Sequence, residues 1–209
     1  DRYVVSAKGE KGVGLYLVEA TAANINVIAD GIIDLTRDQA HITFNAAVCT
    51  ELAADGAGDK AIDDDIPSIL TIVTADMVGA GEWLLQTTTE YAKTRVQFDR
   101  PLGFFQAVKH PLVNVMIDID RTKSLVYNSA CAIDSGESNT ELNARMAKSQ
   151  ASDMAVFSAI RAVHLHGGIG FTWECDVHIF FKRSMHNQAL YGDGVYQRKK
   201  LATTMIGEI

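Results

Sequence analysis

The hydrophobic pattern of this 209-residue chain changes its period near residue 60. Before that point, short runs rich in Val, Ile, Tyr and Phe are separated by Gly, Asn and Asp, which is typical of β-strands. After Pro67, apolar residues such as Leu70, Val73 and Met77 recur at helical spacing. The change predicts an α+β fold: an antiparallel β segment over residues 1–55, a linker over 56–66 and an antiparallel helical bundle over 67–209.

The same patterns predict the individual elements. Strands are expected at "RYVVSA", "VGLYLVEA", "INVIADGI" and "AHITFNAAV". Pro67 is the expected start of the first helix, because proline suits the first helical turn and the aspartates before it favour the positive end of the helix dipole. Helices are predicted near 67–97, 104–134, 138–166, 176–188 and 194–206.

Composition and charge limit the possible partners and location. The formal net charge of -7 argues against nucleic acid or an anionic membrane surface as the main partner, because the average field would repel either. No apolar run reaches the ~20 residues of a membrane span, and the first residues lack the shape of a signal peptide, so we expect a cytoplasmic protein. The three cysteines lie far apart in sequence and are expected to be buried free thiols.

Several catalytic and metal-binding arrangements have no support in the sequence. His164 and His166 are two positions apart, and on a helix such residues point to different faces, so they cannot chelate one metal ion together. No metal site is predicted. The GxSxG turn of serine hydrolases is absent, and no Cys–His arrangement indicates a cysteine nucleophile.

Two local motifs each leave two interpretations open. The "HGGIG" run at 166–170 follows a predicted helix, so a loop that ends the helix is the simpler interpretation and a phosphate contact the alternative. Lys93, Arg95 and Arg100 cluster at a predicted helix end. Cations there suit the helix dipole, but the cluster could equally hold an anion.

Three longer motifs together resemble the acyl-CoA dehydrogenase family. They are "DLTRDQAHITF" at 34–44, "GAGEWLLQTTTEYAKTRVQFDRPLGFFQAVKH" at 79–110 and "AVHLHGGIGFTWECDVHIFFKR" at 162–183. Their order and spacing are similar to the family's over nearly the whole chain. The resemblance covers the second half of that family's middle β domain and its whole C-terminal helical domain.

The resemblance implies a flavoprotein that desaturates the Cα–Cβ bond of an acyl-CoA thioester with FAD and passes electrons to a flavin electron acceptor. By motif position, Arg95 would pair with the FAD pyrophosphate, a role that suits the guanidinium geometry. Phe98 and Gln106 would line the same cofactor, and the backbone from His164 through Gly167 and Gly168 would approach its adenosine part. The family usually has Gln where this chain has His164, which weakens that contact.

The family's catalytic glutamate has no counterpart in the matching positions. Alignment on Gln197 and Arg198 places Tyr191 in the glutamate position and Asp193 where a threonine normally contacts FAD. A phenol is a poor base at neutral pH. The alternative base position used by some members falls near Ile69 and Leu70, which are apolar, so no catalytic residue is predicted in this chain.

Glu82 and Glu90 lie more than three helical turns beyond that alternative position, too far along the predicted helix to replace the missing base.

The combination of retained flavin contacts and a missing base resembles the base-lacking subunit of the paired acyl-CoA dehydrogenases of actinobacterial steroid breakdown. Those enzymes are heterotetramers of two kinds of chain, so a related acyl-CoA dehydrogenase subunit is the expected partner. Two alternatives remain. One is a homotetrameric dehydrogenase that uses Asp193 as a relocated base, and the other is a degenerate scaffold that binds neither flavin nor acyl-CoA.

Overall fold

The computed structural model describes residues 1–207, which divide into two compact units. The first unit contains residues 1–32 and 37–66, and the second contains residues 33–36 and the chain from Pro67 onward. The first unit carries the β-strands of the N-terminal part, and the second is dominated by helices. The mixed α+β class predicted from the change of period is therefore confirmed.

Two small antiparallel sheets form the first unit. Strands β1 (Arg2–Lys8), β2 (Val13–Glu19) and β5 (Cys49–Ala53) form one sheet in the order β1-β2-β5, and β3 (Ile25–Ala29) pairs with β4 (Ala40–Phe44) in the other. Tyr3 of β1 and Phe44 of β4 contact each other edge to face, with ring centroids 6.0 Å apart.

The strand predicted over "AHITFNAAV" is wrong in its second half. The chain leaves β4 at Phe44 and turns through Ala46, whose φ of 53° is incompatible with a continuing strand. The residues that follow then form β5, a strand that the sequence pattern did not predict. Its burial is low throughout, so it lacks the apolar alternation on which strand prediction depends.

The first helix, α1 (Gly58–Thr94), begins nine residues before the predicted start at Pro67, so most of the predicted linker over 56–66 is helical. An exposed ion pair between Lys60 and Asp64, four residues apart, supports the extra turns. Pro67 lies inside the helix, where it removes one backbone hydrogen bond. The hydroxyl of Thr71 donates to the Pro67 carbonyl at 2.7 Å.

The remaining helices lie close to their predicted positions. They are α2 (Gln106–Asp134), α3 (Thr140–His166), α4 (Val177–Ala189) and α5 (Gly194–Ile206). Between α1 and α2 the chain forms a short hairpin, β6 (Val96–Gln97) and β7 (Arg100–Pro101), that the sequence did not predict. Two short 3₁₀ segments, Leu102–Phe104 and Gly167–Phe171, precede α2 and follow α3.

Helix α3 is the central helix of the second unit. Its buried positions cover most of its circumference and leave exposed a strip through Asp153, Ile160 and His164. Six of the buried residues are alanines that let neighbouring helices approach closely: Ala144, Ala147, Ala151, Ala155, Ala159 and Ala162. One apolar cluster joins it to α1 and α4 through Leu84 and Val177, and another joins it to α1 and α2 through Val78 and Ile119. Trp83 of α1 stacks on Phe180 of α4 at 3.9 Å.

Helix α1 is long and apolar enough, by length and composition alone, to cross a membrane. However, half of its most apolar 18-residue window is buried inside the protein, as in the core helix of a bundle.

The cysteines differ from the expectation. Cys49 and Cys131 are exposed and Cys175 is half-buried, and all three are free thiols. Their positions on solvent-facing sides of a strand and a helix could not be recognised from spacing alone.

Candidate functional site

The hairpin between α1 and α2 carries two of the residues predicted to contact a cofactor. Arg95 directly follows α1, and its backbone N–H donates to the carbonyl of Tyr91 at 2.9 Å while its carbonyl accepts from Leu102 N at 2.9 Å. The guanidinium is exposed, and no carboxylate in residues 1–207 forms an ion pair with it. Arg95 is therefore fixed through its backbone while its side chain remains available to an anion.

Phe98 occupies a strained position at the tip of this hairpin. Phe98 and Asp99 connect the paired residues Gln97 and Arg100, and both have positive φ, 53° and 56°. Two-residue hairpin turns of this kind normally use Asn or Gly, because a bulky side chain is disfavoured in the left-handed region. The Phe98 ring is nonetheless 86% exposed, and it meets the Phe105 ring edge to face with centroids 6.1 Å apart.

Gln106 is the first residue of α2, and its side chain is exposed. The residue before it, Phe105, makes no side-chain hydrogen bond to the helix end. The first N–H groups of a helix lack intrahelical partners and carry partial positive charge. Gln106 thus sits where both its amide and the helix end can meet a polar ligand.

A second group of predicted residues lies at the end of α3. His164, Gly167 and Gly168 line an open apolar pocket of about 600 Å³ together with Phe171 and Phe181. Gly167 ends the helix with a φ of 63°, which favours glycine. Gly168 has no such constraint, and a Cβ added there would contact no other residue, so the chain itself does not require glycine at this position.

Tyr91 and His166 bring the ends of α1 and α3 together. Their rings stack with centroids 4.4 Å apart, and the Tyr91 hydroxyl is 3.4 Å from the His166 carbonyl oxygen. His166 is buried, and its Nδ1 lies 2.8 Å from the Ala162 carbonyl oxygen. The hairpin residues and the glycine loop therefore lie at the same end of the helical unit, while His166 has a structural role and faces away from His164.

The turn between α4 and α5 carries the residues aligned with the missing base. Tyr191 has a φ of 56° and is half exposed, and Gly192 has a φ of 90°. Only glycine fits at 192, because an added Cβ would collide with the Tyr196 ring. Asp193 is the N-cap of α5, where its Oδ1 accepts from the Tyr196 backbone N–H at 2.8 Å.

The alternative base position is apolar in the structure as well. Leu70 is completely buried and Ile69 is half-buried on α1. The carboxylates further along the helix are engaged elsewhere: Asp76 accepts from Arg183 of α4 at 2.8 Å, Glu82 accepts from Lys123 of α2 at 2.6 Å, and Glu90 accepts from Lys93 at 2.7 Å. The hydrogen bond from Lys123 to Glu82 raises the pKa of that lysine.

Two buried polar residues that the sequence analysis did not assign hold the α4–α5 turn. Lys148 of α3 is completely buried, and its ammonium donates to the Gln188 and Gly192 carbonyls at 3.0 Å. Gln197 of α5 is also buried and donates to the Tyr191 carbonyl at 2.7 Å. The sequence did contain a signal for Lys148: a lysine among alanines and serines on the most buried helix.

A fork-shaped ion pair links α1 to α4. Arg183 donates to Asp76 through Nε at 3.1 Å and Nη2 at 2.8 Å, and to the Thr36 hydroxyl at 2.6 Å. Asn187 donates to the same carboxylate at 2.6 Å. The hydrogen bond to Asp76 raises the pKa of Arg183, against the opposing effect of burial. This cluster joins α4 to α1 through charge-assisted hydrogen bonds and therefore has a structural role.

Within residues 1–207, no group of three or more His, Cys, Asp or Glu side chains is arranged to hold a metal ion.

The model of the acyl-CoA dehydrogenase C-terminal domain matches residues 71–206 of this chain. Acyl-CoA dehydrogenase IpdE2 of Mycobacterium tuberculosis is 41% identical over 113 residues, covering 54% of this chain and 34% of that protein. The match therefore covers about a third of that relative's length.

Two solved structures also resemble this chain. A variant of the Tcur3481–Tcur3483 steroid ACAD is similar with a TM-score of 0.88 and 28% identity, covering 98% of this chain and 55% of that one. The ChsE4–ChsE5 complex from Mycobacterium tuberculosis has a TM-score of 0.88 and 27% identity, covering 100% of this chain and 56% of that one.

The family match extends over more than half of the chain and includes the hairpin, the glycine loop and the α4–α5 turn. Together with the predicted motif order, it shows that this chain belongs to the acyl-CoA dehydrogenase family.

Proposed function

We propose that this chain is part of a subunit of an FAD-dependent acyl-CoA dehydrogenase, and that it completes the flavin site without supplying the catalytic base. The expected partner is a related acyl-CoA dehydrogenase subunit that carries the base. The observation that carries the proposal is a contrast between two ends of the site. The hairpin and glycine loop keep free ligand-binding groups, whereas the α4–α5 turn offers no uncommitted carboxylate.

The free groups fit a dinucleotide such as FAD. The exposed Arg95 guanidinium, which forms no ion pair within residues 1–207, suits a pyrophosphate because its planar donors match two phosphate oxygens. Phe98 is exposed and has a left-handed backbone conformation that is strained for a phenylalanine. Backbone strain of this kind concentrates at binding sites. The open surface at Gly168 allows close approach of a ligand.

When bound, FAD would accept the hydride that leaves the β carbon of the acyl group. A carboxylate must remove the α proton, and the candidates in this chain are poorly suited. Asp193 already caps α5, and Tyr191 bears a phenol. Asp76 accepts from Arg183 and Asn187, and Glu82 and Glu90 are held in exposed ion pairs.

The related structures support a two-chain assembly and a bulky substrate. One of them is a complex of ChsE4 with ChsE5, and another is a steroid ACAD. We propose by analogy that this protein also works with an unlike partner, on a CoA thioester as large as a steroid side chain, and delivers its electrons to a flavin electron acceptor.

The test is to measure bound flavin, and flavin bleaching by acyl-CoA in a single turnover, for the protein alone and co-expressed with a related acyl-CoA dehydrogenase subunit. We expect yellow, bleachable protein only in the mixture. Full flavin loading and bleaching by the protein alone would overturn the half-site proposal and favour a self-sufficient enzyme.

A matched pair of variants tests the flavin contact. Arg95→Ala is expected to lower FAD affinity at least about tenfold, because a charge-assisted contact to the pyrophosphate is lost. Arg121→Ala removes an exposed arginine whose ion pair with Asp118 is long, 3.7 Å, and should leave flavin content unchanged. Equal flavin content in both variants would show that Arg95 does not hold FAD. It would instead favour the alternative in which this chain is a scaffold that does not itself bind flavin.

A further inference from the structure

Lys148 occupies a cage of oxygen atoms inside the helical unit. Its Nζ lies 3.1 Å from the Asn187 carbonyl, 3.0 Å from each of the Gln188 and Gly192 carbonyls, and 3.2 Å from Ser152 Oγ. The Ser152 hydroxyl donates to the Lys148 carbonyl at 2.9 Å, so its oxygen is oriented to accept from the ammonium. The side chain has no exposure to solvent.

The cage satisfies backbone groups that would otherwise be unpaired. The carbonyls of Asn187 and Gln188 belong to the last turn of α4, where no further helical N–H is available. The Gly192 carbonyl belongs to the turn itself. A compact ammonium with three donors can reach all of them, as a small monovalent cation would, whereas a planar guanidinium could not.

The same contacts determine where Tyr191 points. Its carbonyl is held by Gln197 and that of the next residue by Lys148, so the backbone on its C-terminal side is fixed. Tyr191 is thereby kept in the left-handed region, which a tyrosine rarely adopts on its own, with its side chain half exposed. Such a conformation persists only where surrounding contacts hold it.

We propose that Lys148 is a positioning residue that acts as a built-in monovalent cation, fixing the 187–192 turn and thereby the position of Tyr191 against the acyl group. The anchoring of the turn follows from the contacts above. The role of Tyr191 as a wall of the acyl site rests on the proposed function.

Amide hydrogen exchange tests the anchoring without flavin or substrate. The reporter amides are those of Leu190, Gly192 and Tyr196, which donate to His186, Ala189 and Asp193 in the intact turn. In Lys148→Ala and Lys148→Met their exchange is expected to accelerate about tenfold or more, because charge-assisted bonds are lost. The Leu102 amide of the hairpin should not change. Lys123→Met, which removes an exposed lysine, is the matched control.

Chemical rescue separates positioning from general damage. Propylammonium matches the atoms removed from Cγ to Nζ in Lys148→Ala and should restore slow exchange of the three amides. Tetramethylammonium carries the same charge without N–H donors and should not. If Lys148→Ala does not fold alone, the same comparison is made on refolding yield. The proposal would be overturned if the three amides of Lys148→Ala exchanged as slowly as in the wild type, or if the two ammonium ions had equal effects.

The functional step is tested in the co-expressed assembly. Lys148→Met should retain flavin while the rate of acyl-CoA-dependent bleaching falls and half-saturation moves to higher acyl-CoA concentration. A wild-type assembly that contains no flavin would contradict the proposed function. In Lys148→Met, an unchanged rate of bleaching together with fast amide exchange in the turn would contradict only the positioning of Tyr191.

Discussion

Arg183 of α4 and Asp76 of α1 form an ion pair of two hydrogen bonds across 107 residues of sequence. Both side chains are largely buried, and the same carboxylate also accepts from Asn187. The pair therefore ties the helix that leads into the α4–α5 turn to the longest helix of the bundle.

Removing one partner of this pair should destabilise the helical unit. Asp76→Ala removes the acceptor of the Asn187 amide and leaves the Arg183 charge with only its bond to the Thr36 hydroxyl, which is expected to lower the free energy of unfolding by about 1–3 kcal/mol. The measurement is the midpoint of urea unfolding at constant m-value. Glu90→Ala, which removes an exposed pair with Lys93, is the control and should change stability by less than about 0.5 kcal/mol.

Phe98→Gly should separate stability from cofactor binding. Glycine relieves the left-handed strain at 98, and the exposed ring contributes little packing, so the free energy of unfolding should stay the same or rise by up to about 1 kcal/mol. FAD affinity should fall. Asp99→Gly relieves strain in the same turn but keeps the ring, and should retain flavin. A large loss of stability in Phe98→Gly would show that the ring is structural.

Two substitutions distinguish capping by Asp193 from catalysis. Asp193→Ala removes the acceptor for Tyr196 N–H and should cost about 1 kcal/mol, whereas Asp193→Asn should be nearly neutral because asparagine is an equally good N-cap. Thermal unfolding of both variants measures the difference. Turnover should survive in Asp193→Asn, and its abolition would identify Asp193 as the base.

Lys148 should make the stability of the helical unit depend on pH. Burial lowers its pKa from 10.5 to about 8, with Asp193 opposing that shift. Between these two pH values the unfolded chain binds more protons than the folded one, so the free energy of unfolding should rise with pH. The slope should reach about 1.4 kcal/mol per pH unit.

The measurement compares urea unfolding of the wild type and Lys148→Met from pH 7 to about 10.5. The difference in free energy of unfolding between the two should change across this window and be constant below it. Parallel curves over the whole range would show that the buried ammonium titrates with an ordinary pKa.

The helices were largely predictable because each has a buried face repeated at helical spacing. The early start of α1 was missed because Asp59, Lys60 and Asp64 are compatible with a linker, and their helical pairing appears only when the turn is formed. The hairpin at 96–101 was missed because Phe98 and Asp99 are not the residues that a tight turn usually contains.

The sequence alone determined the α+β order, the family motifs and the absence of glutamate from the turn, because these depend on residue type and spacing. The tertiary structure decided which polar groups are available. Lys148 and Gln197 are bound to turn carbonyls, Asp193 caps a helix, and Arg95 forms no ion pair in the part of the chain that the structure describes. A polar side chain's role depends on which donors and acceptors surround it, and residues far apart in sequence meet only when the chain is folded.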